Sequence, residues 1–98
     1  MAEGIEPRPF NMNSFSPGYF ISTLDATLKF TITNLTTITV FSSKGIVIVT
    51  MHTNGTKNKY DPMNLVTFIG NNSFTIPYTG YTPLNYISSR NDISVELL

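Results

Sequence analysis

The chain offers few side chains that could take part in acid–base catalysis or bind a metal. It has one histidine, His52, and six carboxylates scattered over 98 residues. General acid–base catalysis needs titratable groups that are held together, and His52 with Asp61 is the one conceivable pair. One His and one Asp make an incomplete metal site, and no nucleophile stands at a recognisable spacing from them. We therefore expect no catalytic residue, no metal ligand and no cofactor, and we predict that the protein is not an enzyme.

A group of tyrosines near the end of the chain is the best candidate for ligand binding. Tyr78, Tyr81 and Tyr86 lie close together in sequence, and Asn85 lies among them. Aromatic rings beside amides bind sugars or proteins, because tyrosine buries an apolar ring and keeps a polar hydroxyl. This segment predicts a loop that binds a partner or a glycan. The alternative is that two of the three tyrosines fill the edge and the core of a sheet.

The first twenty residues differ in kind from the rest of the chain. They contain three prolines and two glycines, which argue against regular structure. They also contain four aromatic residues, whose side chains are costly to leave in water: Phe10, Phe15, Tyr19 and Phe20. We therefore expect an extended arm over residues 1–20, which docks through these aromatics on its own sheet or on a partner, and a single β domain over residues 21–98.

The rest of the chain shows the patterns of β-strands. Apolar and polar residues alternate from Thr27 onward, which is typical of a half-buried strand. Residues 46–51 are apolar on both faces, which predicts a central strand buried on both sides. The pair Asn54 and Gly55 predicts a hairpin with a type I′ turn, and residues 84–88 and 93–97 are expected to form a last strand pair.

Turn residues separate these segments about every 8–12 residues, which is the spacing of a sandwich or a small barrel. The sequence therefore predicts an all-β fold: a small antiparallel β-sandwich or barrel of about six to eight strands with an extended N-terminal arm.

Composition restricts the classes of partner. Thr, Asn and Ser make up 33 of the 98 residues while only 12% are charged, against about 25% in an ordinary soluble domain. A surface that is uncharged over wide areas suits being covered. Four lysines fall within residues 26–60 without an acid, which is too weak a signal for nucleic-acid binding. The chain has no cysteine, so packing or neighbouring subunits must hold the fold.

The sequence also restricts the location. Residues 1–9 lack the basic and apolar regions of a secretory signal, and no apolar run approaches the roughly 18 residues of a membrane-spanning helix. We therefore expect neither a signal peptide nor a transmembrane segment, and assembly in the cytoplasm of a host cell.

Together these features favour a non-enzymatic structural protein that acts as a repeated subunit of a larger assembly. The expected setting is a viral or bacteriophage virion, with a capsid-decorating, minor capsid or tail-associated role. The partners would be copies of the chain or other subunits, bound through the arm and the strand edges. The alternative is a carbohydrate- or receptor-binding β-module that uses the tyrosine-rich loop.

Overall fold

The computed structural model describes residues 4–5 and 16–98, and these residues form two antiparallel sheets packed face to face. The strands are β1 (Gly4–Ile5), β2 (Ser16–Ser22), β3 (Ala26–Thr31), β4 (Thr36–Ser42), β5 (Gly45–Met51), β6 (Lys57–Tyr60), β7 (Thr67–Ile69), β8 (Ser73–Tyr78), β9 (Leu84–Ser88) and β10 (Ser94–Leu97). One sheet has the order β1-β2-β9-β4-β5-β6 and the other the order β10-β3-β8-β7. The predicted all-β sandwich is confirmed.

Period-two alternation builds the core between the two sheets. In β3, Leu28 and Phe30 point inward and are fully buried, and Val47 and Val49 do the same in β5. Phe30 stacks on Phe74 of β8 with ring centroids 4.8 Å apart. Each large apolar side chain that is fully buried contributes about 1.5–3 kcal/mol, so a core of this kind can hold a small domain without disulfides. Among the described residues no helix is long and apolar enough to cross a membrane.

Part of the predicted arm belongs to the six-stranded sheet. Strand β2 pairs with β9 from Ser16 opposite Ser88 to Phe20 opposite Leu84. Phe20 is 5% exposed and packs edge-on against the ring of Tyr78 at 4.9 Å. With β1 and β2 the described residues form ten strands, where the sequence predicted six to eight. Phe10 and Phe15 lie outside the described residues.

The prediction that residues 46–51 are buried on both faces is wrong. Ile46 is 48% exposed and Ile48 is 39% exposed, whereas Val47 and Val49 are buried. The reason is that β5 is covered by the second sheet on one side only. Its other face is part of the outer surface of the sandwich.

The hairpin between β5 and β6 forms as predicted, but its turn type was predicted wrongly. His52 and Thr56 close the loop through a backbone hydrogen bond of 2.9 Å, which leaves three residues between them where a type I′ turn has two. Only Gly55, at +108°, has a positive φ in this loop. A three-residue loop that ends in such a glycine is the common alternative to the type I′ hairpin.

The last two strands do not pair with each other. Strand β9 lies between β2 and β4, whereas β10 pairs with β3 in the other sheet. The chain passes from one sheet to the other between β9 and β10, and Asp92 lies in this connection. Its carboxylate accepts two hydrogen bonds of 2.8 Å from the Arg90 guanidinium and one of 2.7 Å from Thr33 Oγ1. These hydrogen bonds hold the pKa of Asp92 well below its usual range.

Candidate functional site

The two residues that could have carried acid–base chemistry are each held within their own turn. His52 Nδ1 accepts the backbone N–H of Asn54 at 2.9 Å. The carboxylate of Asp61 accepts the backbone N–H groups of Leu65 at 2.8 Å and Val66 at 2.7 Å. Among the described residues no group of three or more His, Cys, Asp and Glu could hold a metal ion. These contacts stabilise turns and bring no reactive groups together.

Asp61 is a buried loop anchor. Its side chain is fully buried and lies 3.4 Å from Lys59 Nζ. Burial of the carboxylate raises its pKa, but the two backbone N–H groups and Lys59 outweigh this effect, and the net pKa is lowered. The ionised carboxylate therefore closes the loop over residues 61–66 and links it to Lys59 of β6.

The tyrosines of the predicted binding loop separate into two environments. Tyr86 is fully buried and Tyr78 is 3% exposed, whereas Tyr81 is 78% exposed. The hydroxyl of Tyr78 accepts the N–H of Ser22 at 2.7 Å and lies 2.6 Å from the carbonyl oxygen of Thr82. Two of the three tyrosines thus fill the core, which is the alternative that the sequence left open. They do not form one aromatic surface with Tyr81.

An exposed apolar surface lies on the outer side of the six-stranded sheet. We call it the apolar face, and it is formed by the outward residues of five strands: Tyr19 of β2, Asn85 and Ile87 of β9, Thr39 and Phe41 of β4, Ile46 and Ile48 of β5, and Tyr60 of β6. Its six large apolar side chains are 36% to 58% exposed. None of them is needed to fill the core.

Strand register places these residues in two rows across the sheet. In the first row Thr39 lies opposite both Ile87 and Ile48, and Ile48 lies opposite Tyr60. Directly opposite side chains in an antiparallel pair have Cβ atoms about 4.5–5.5 Å apart. The row is therefore a continuous strip across four strands.

The second row runs parallel to the first. Phe41 lies opposite both Asn85 and Ile46, and Asn85 lies opposite Tyr19. The structure thus brings together one residue from each predicted site, since Tyr19 came from the arm and Asn85 from the tyrosine-rich segment. The two were predicted separately and are neighbours on one surface.

The apolar face carries no charge among the described residues. Strands β2, β4, β5 and β9 contain no Lys, Arg, Asp or Glu. In β6 the lysines alternate with Asn58 and Tyr60, and Lys59 turns away from the face. Its Nζ lies 3.4 Å from Asp61 and 5.8 Å from the ring centroid of Phe68. An open hollow at this end of the face is lined by Ile48 and Thr50 of β5 and by Asn58, Lys59 and Tyr60 of β6.

The outer side of the four-stranded sheet is different in kind. Lys29 of β3 lies opposite Glu96 of β10 on one side and Thr75 of β8 on the other, and Thr75 lies opposite Thr67. Hydroxyls and opposite charges are what a solvated sheet face normally carries. One face of this sandwich is therefore suited to water, and the opposite face is not.

Sequence reasoning missed most of the apolar face. Phe41 and Ile87 are not among the predicted site residues, and Ile46 and Ile48 belong to the segment that the sequence predicts to be buried on both faces. The available signal was that residues 46–51 are apolar on both faces, but two-sided apolarity is also the pattern of a doubly buried strand. The structure distinguishes the two cases because it shows which side of β5 the second sheet covers.

Comparison with known proteins adds no assignment to these observations. The chain matches no family model, no curated protein and no solved structure.

Proposed function

We propose that this protein is a non-enzymatic structural subunit that is repeated within a larger assembly and covers its apolar face with a neighbour. The observation that carries the proposal is the contrast between the outer surfaces of the two sheets. A contiguous exposed apolar patch larger than a few hundred Å² marks an interaction site on a soluble protein. Here six large apolar side chains, each at least 36% exposed, lie in two adjacent rows without an intervening charge.

The setting that we propose is a virion. Support comes from the composition, with few charges, no cysteine and many hydroxyl and amide side chains. A small domain without disulfides gains stability from neighbouring subunits. A capsid-decorating, minor capsid or tail-associated role would supply such neighbours at high local concentration.

The sequence predicted contacts through the arm and the strand edges, and the structure supports a modified version of this proposal. Tyr19 of the arm contributes to the apolar face, while Phe20 is committed to the core. At the edge of the six-stranded sheet, β6 carries Lys57 and Lys59, and lysines on an edge strand discourage pairing with another strand. We therefore place the main contact on the face of the sheet.

A second candidate function, binding of a carbohydrate or a receptor, retains one specific observation. Tyr81 is 78% exposed and adopts a φ of +65°. Strained backbone at an exposed aromatic residue is often part of a binding site. Glycan-array binding that is abolished in Tyr81→Ala and kept in Tyr60→Ala would favour this function.

The test of the proposed function uses two isoleucines with nearly equal exposure on opposite sheets. Ile48 on the apolar face is 39% exposed, and Ile69 on β7 of the other sheet is 42% exposed. We expect sedimentation equilibrium of the full chain to show association that strengthens with concentration. Ile48→Glu should weaken this association at least tenfold, because it buries a charge at the contact, whereas Ile69→Glu should leave it unchanged.

Circular dichroism of both variants verifies that each remains folded. The proposal fails if the native chain is monomeric at every concentration tested, or if the two folded variants associate equally well.

A further inference from the structure

We infer that the neighbour on the apolar face is a second copy of this chain, packed apolar face against apolar face about a two-fold axis. This inference rests on the proposed function and specifies its partner. In a two-fold pair two identical surfaces meet and the assembly is closed. In the alternative, an open series, the apolar face of one copy contacts a different surface of the next.

Charge favours the closed pair. In a two-fold contact the same patch of both copies meets, so charges that lie near the axis are brought close to their own equivalents. The apolar face avoids this repulsion because the four strands that form most of it contain no charged residue. The other outer surface, with Lys29 and Glu96 in adjacent register positions, lacks this property.

Area also favours the closed pair. The molecule measures 35 × 29 × 20 Å along its principal axes. The broad side therefore projects on the order of 800 Å², which is about what each partner contributes to a stable interface of standard size.

The arrangement of side chains resembles the centre and the rim of an interface. Interface centres are depleted of charge and enriched in aromatic residues. Thr39 lies at the centre of the apolar face with Ile48 and Ile87 as direct neighbours. Tyr19 and Tyr60 lie near the two sides, where their hydroxyls can reach water while their rings are covered.

The centre of the face gives a geometric test. Any two-fold axis that lies in the plane of the contact and passes through its centre puts Thr39 opposite Thr39 of the second copy. Two packed sheets lie about 10 Å apart, which is beyond the Cα separation that a disulfide can bridge. A short bifunctional thiol reagent can bridge it.

The experiment uses single-cysteine variants of the full chain, which has no cysteine of its own. Thr39→Cys places a thiol at the centre of the apolar face. Thr75→Cys is the matched control, because Thr75 is a half-buried threonine on the central strand β8 of the other outer surface. We expect Thr39→Cys to give a covalent dimer in at least several-fold higher yield than Thr75→Cys.

A measurement on the native sequence accompanies the cross-linking, in case a variant does not fold. In a mixture of isotope-labelled and unlabelled chains, we expect intermolecular nuclear Overhauser effects among the methyl groups of Ile46, Ile48 and Ile87. Such contacts between copies arise only if this face of one chain meets the same face of another.

The remaining outcomes separate this inference from the proposed function. Covalent products that require a mixture of Thr39→Cys and Thr75→Cys overturn the closed pair but leave a repeated subunit with a head-to-tail contact. The closed pair is also overturned if the chain associates through Ile48 while Thr39→Cys gives no dimer. A native chain that stays monomeric and shows no intermolecular effect overturns both proposals.

Discussion

Gly18 of β2 lies directly beneath the ring of Tyr86 on the neighbouring strand β9, and the two residues are register partners. The same ring contacts Phe30 of the opposite sheet edge-on, with centroids 5.3 Å apart. The absence of a side chain at Gly18 therefore makes the space in which the largest buried residue of the sandwich sits.

We expect Gly18→Ala to destabilise the protein, because a Cβ at this position would overlap Cζ, Cε1 and the hydroxyl of Tyr86. Overpacking of this kind costs about 1–3 kcal/mol, which chemical denaturation can measure. In a Tyr86→Leu background the cost of Gly18→Ala should shrink, because the overlapping ring is gone. An equal cost in both backgrounds would show that the ring does not cause the effect.

Tyr86→Phe should leave the fold intact and raise the free energy of unfolding. The Tyr86 hydroxyl is buried and has no hydrogen-bond partner among the described residues. A buried polar group without a partner costs about 1–3 kcal/mol, and phenylalanine removes it without changing the ring. Urea denaturation at neutral pH, with the exposed Tyr81→Phe as control, measures the gain, and a clear loss of stability would mean that the hydroxyl has a partner.

The same variant should alter the response to alkaline pH. Burial raises the pKa of Tyr86 to about 12, above the value near 10 expected in the unfolded chain. A raised pKa in the folded state means that the stability linked to this group is complete below about pH 10 and is lost as the pH rises towards 12. Tyr86→Phe should therefore lose less stability over this interval than the native chain, and equal losses would contradict the assignment.

Asp61→Asn should loosen the segment that follows β6. The amide has one acceptor oxygen instead of two, so one of the part-buried N–H groups of Leu65 and Val66 loses its partner, at a cost of up to about 1–3 kcal/mol. Thermal unfolding at neutral pH measures the loss. Asp25→Asn is the control, because Asp25 accepts one backbone N–H at an exposed position and its replacement should cost less.

Acid should unfold the native protein in part through Asp61. Its pKa is lowered in the folded chain from a usual value of 3.8, so the linked stability is present above about pH 4 and is lost as the pH falls through the lower folded value. The difference in stability between native chain and Asp61→Asn should shrink as the pH falls through this range. A difference that stays constant would show that the charge of Asp61 has no role.

A chain that begins at Ile21 should be much less stable than the full chain. The truncation removes the first five residues of β2, including their pairing with β9, and it removes the buried ring of Phe20. A chain that begins at Ser16 keeps β2 whole and is the matched control. Thermal unfolding followed by circular dichroism compares the two, and equal stability would show that β2 is dispensable.

The sequence by itself determined several elements of this fold. The alternation around Leu28 and Phe30 predicted a half-buried strand, and the Asn54-Gly55 pair predicted the hairpin between β5 and β6, because side-chain period and turn chemistry are local properties of the chain. Composition likewise predicted a surface with few charges. Each of these inferences depends on residues that are near one another in sequence.

Only the tertiary structure decided which faces are covered. Alternation assigns Ile48 and Val49 to opposite faces of β5, but it does not say which face meets the second sheet, and the same limit applies to Tyr81 and Tyr86. Pairing between distant strands also placed β10 beside β3 and brought Tyr19 next to Asn85. The apolar face is a product of such long-range register, because its residues come from five strands that the sequence alone could not arrange side by side.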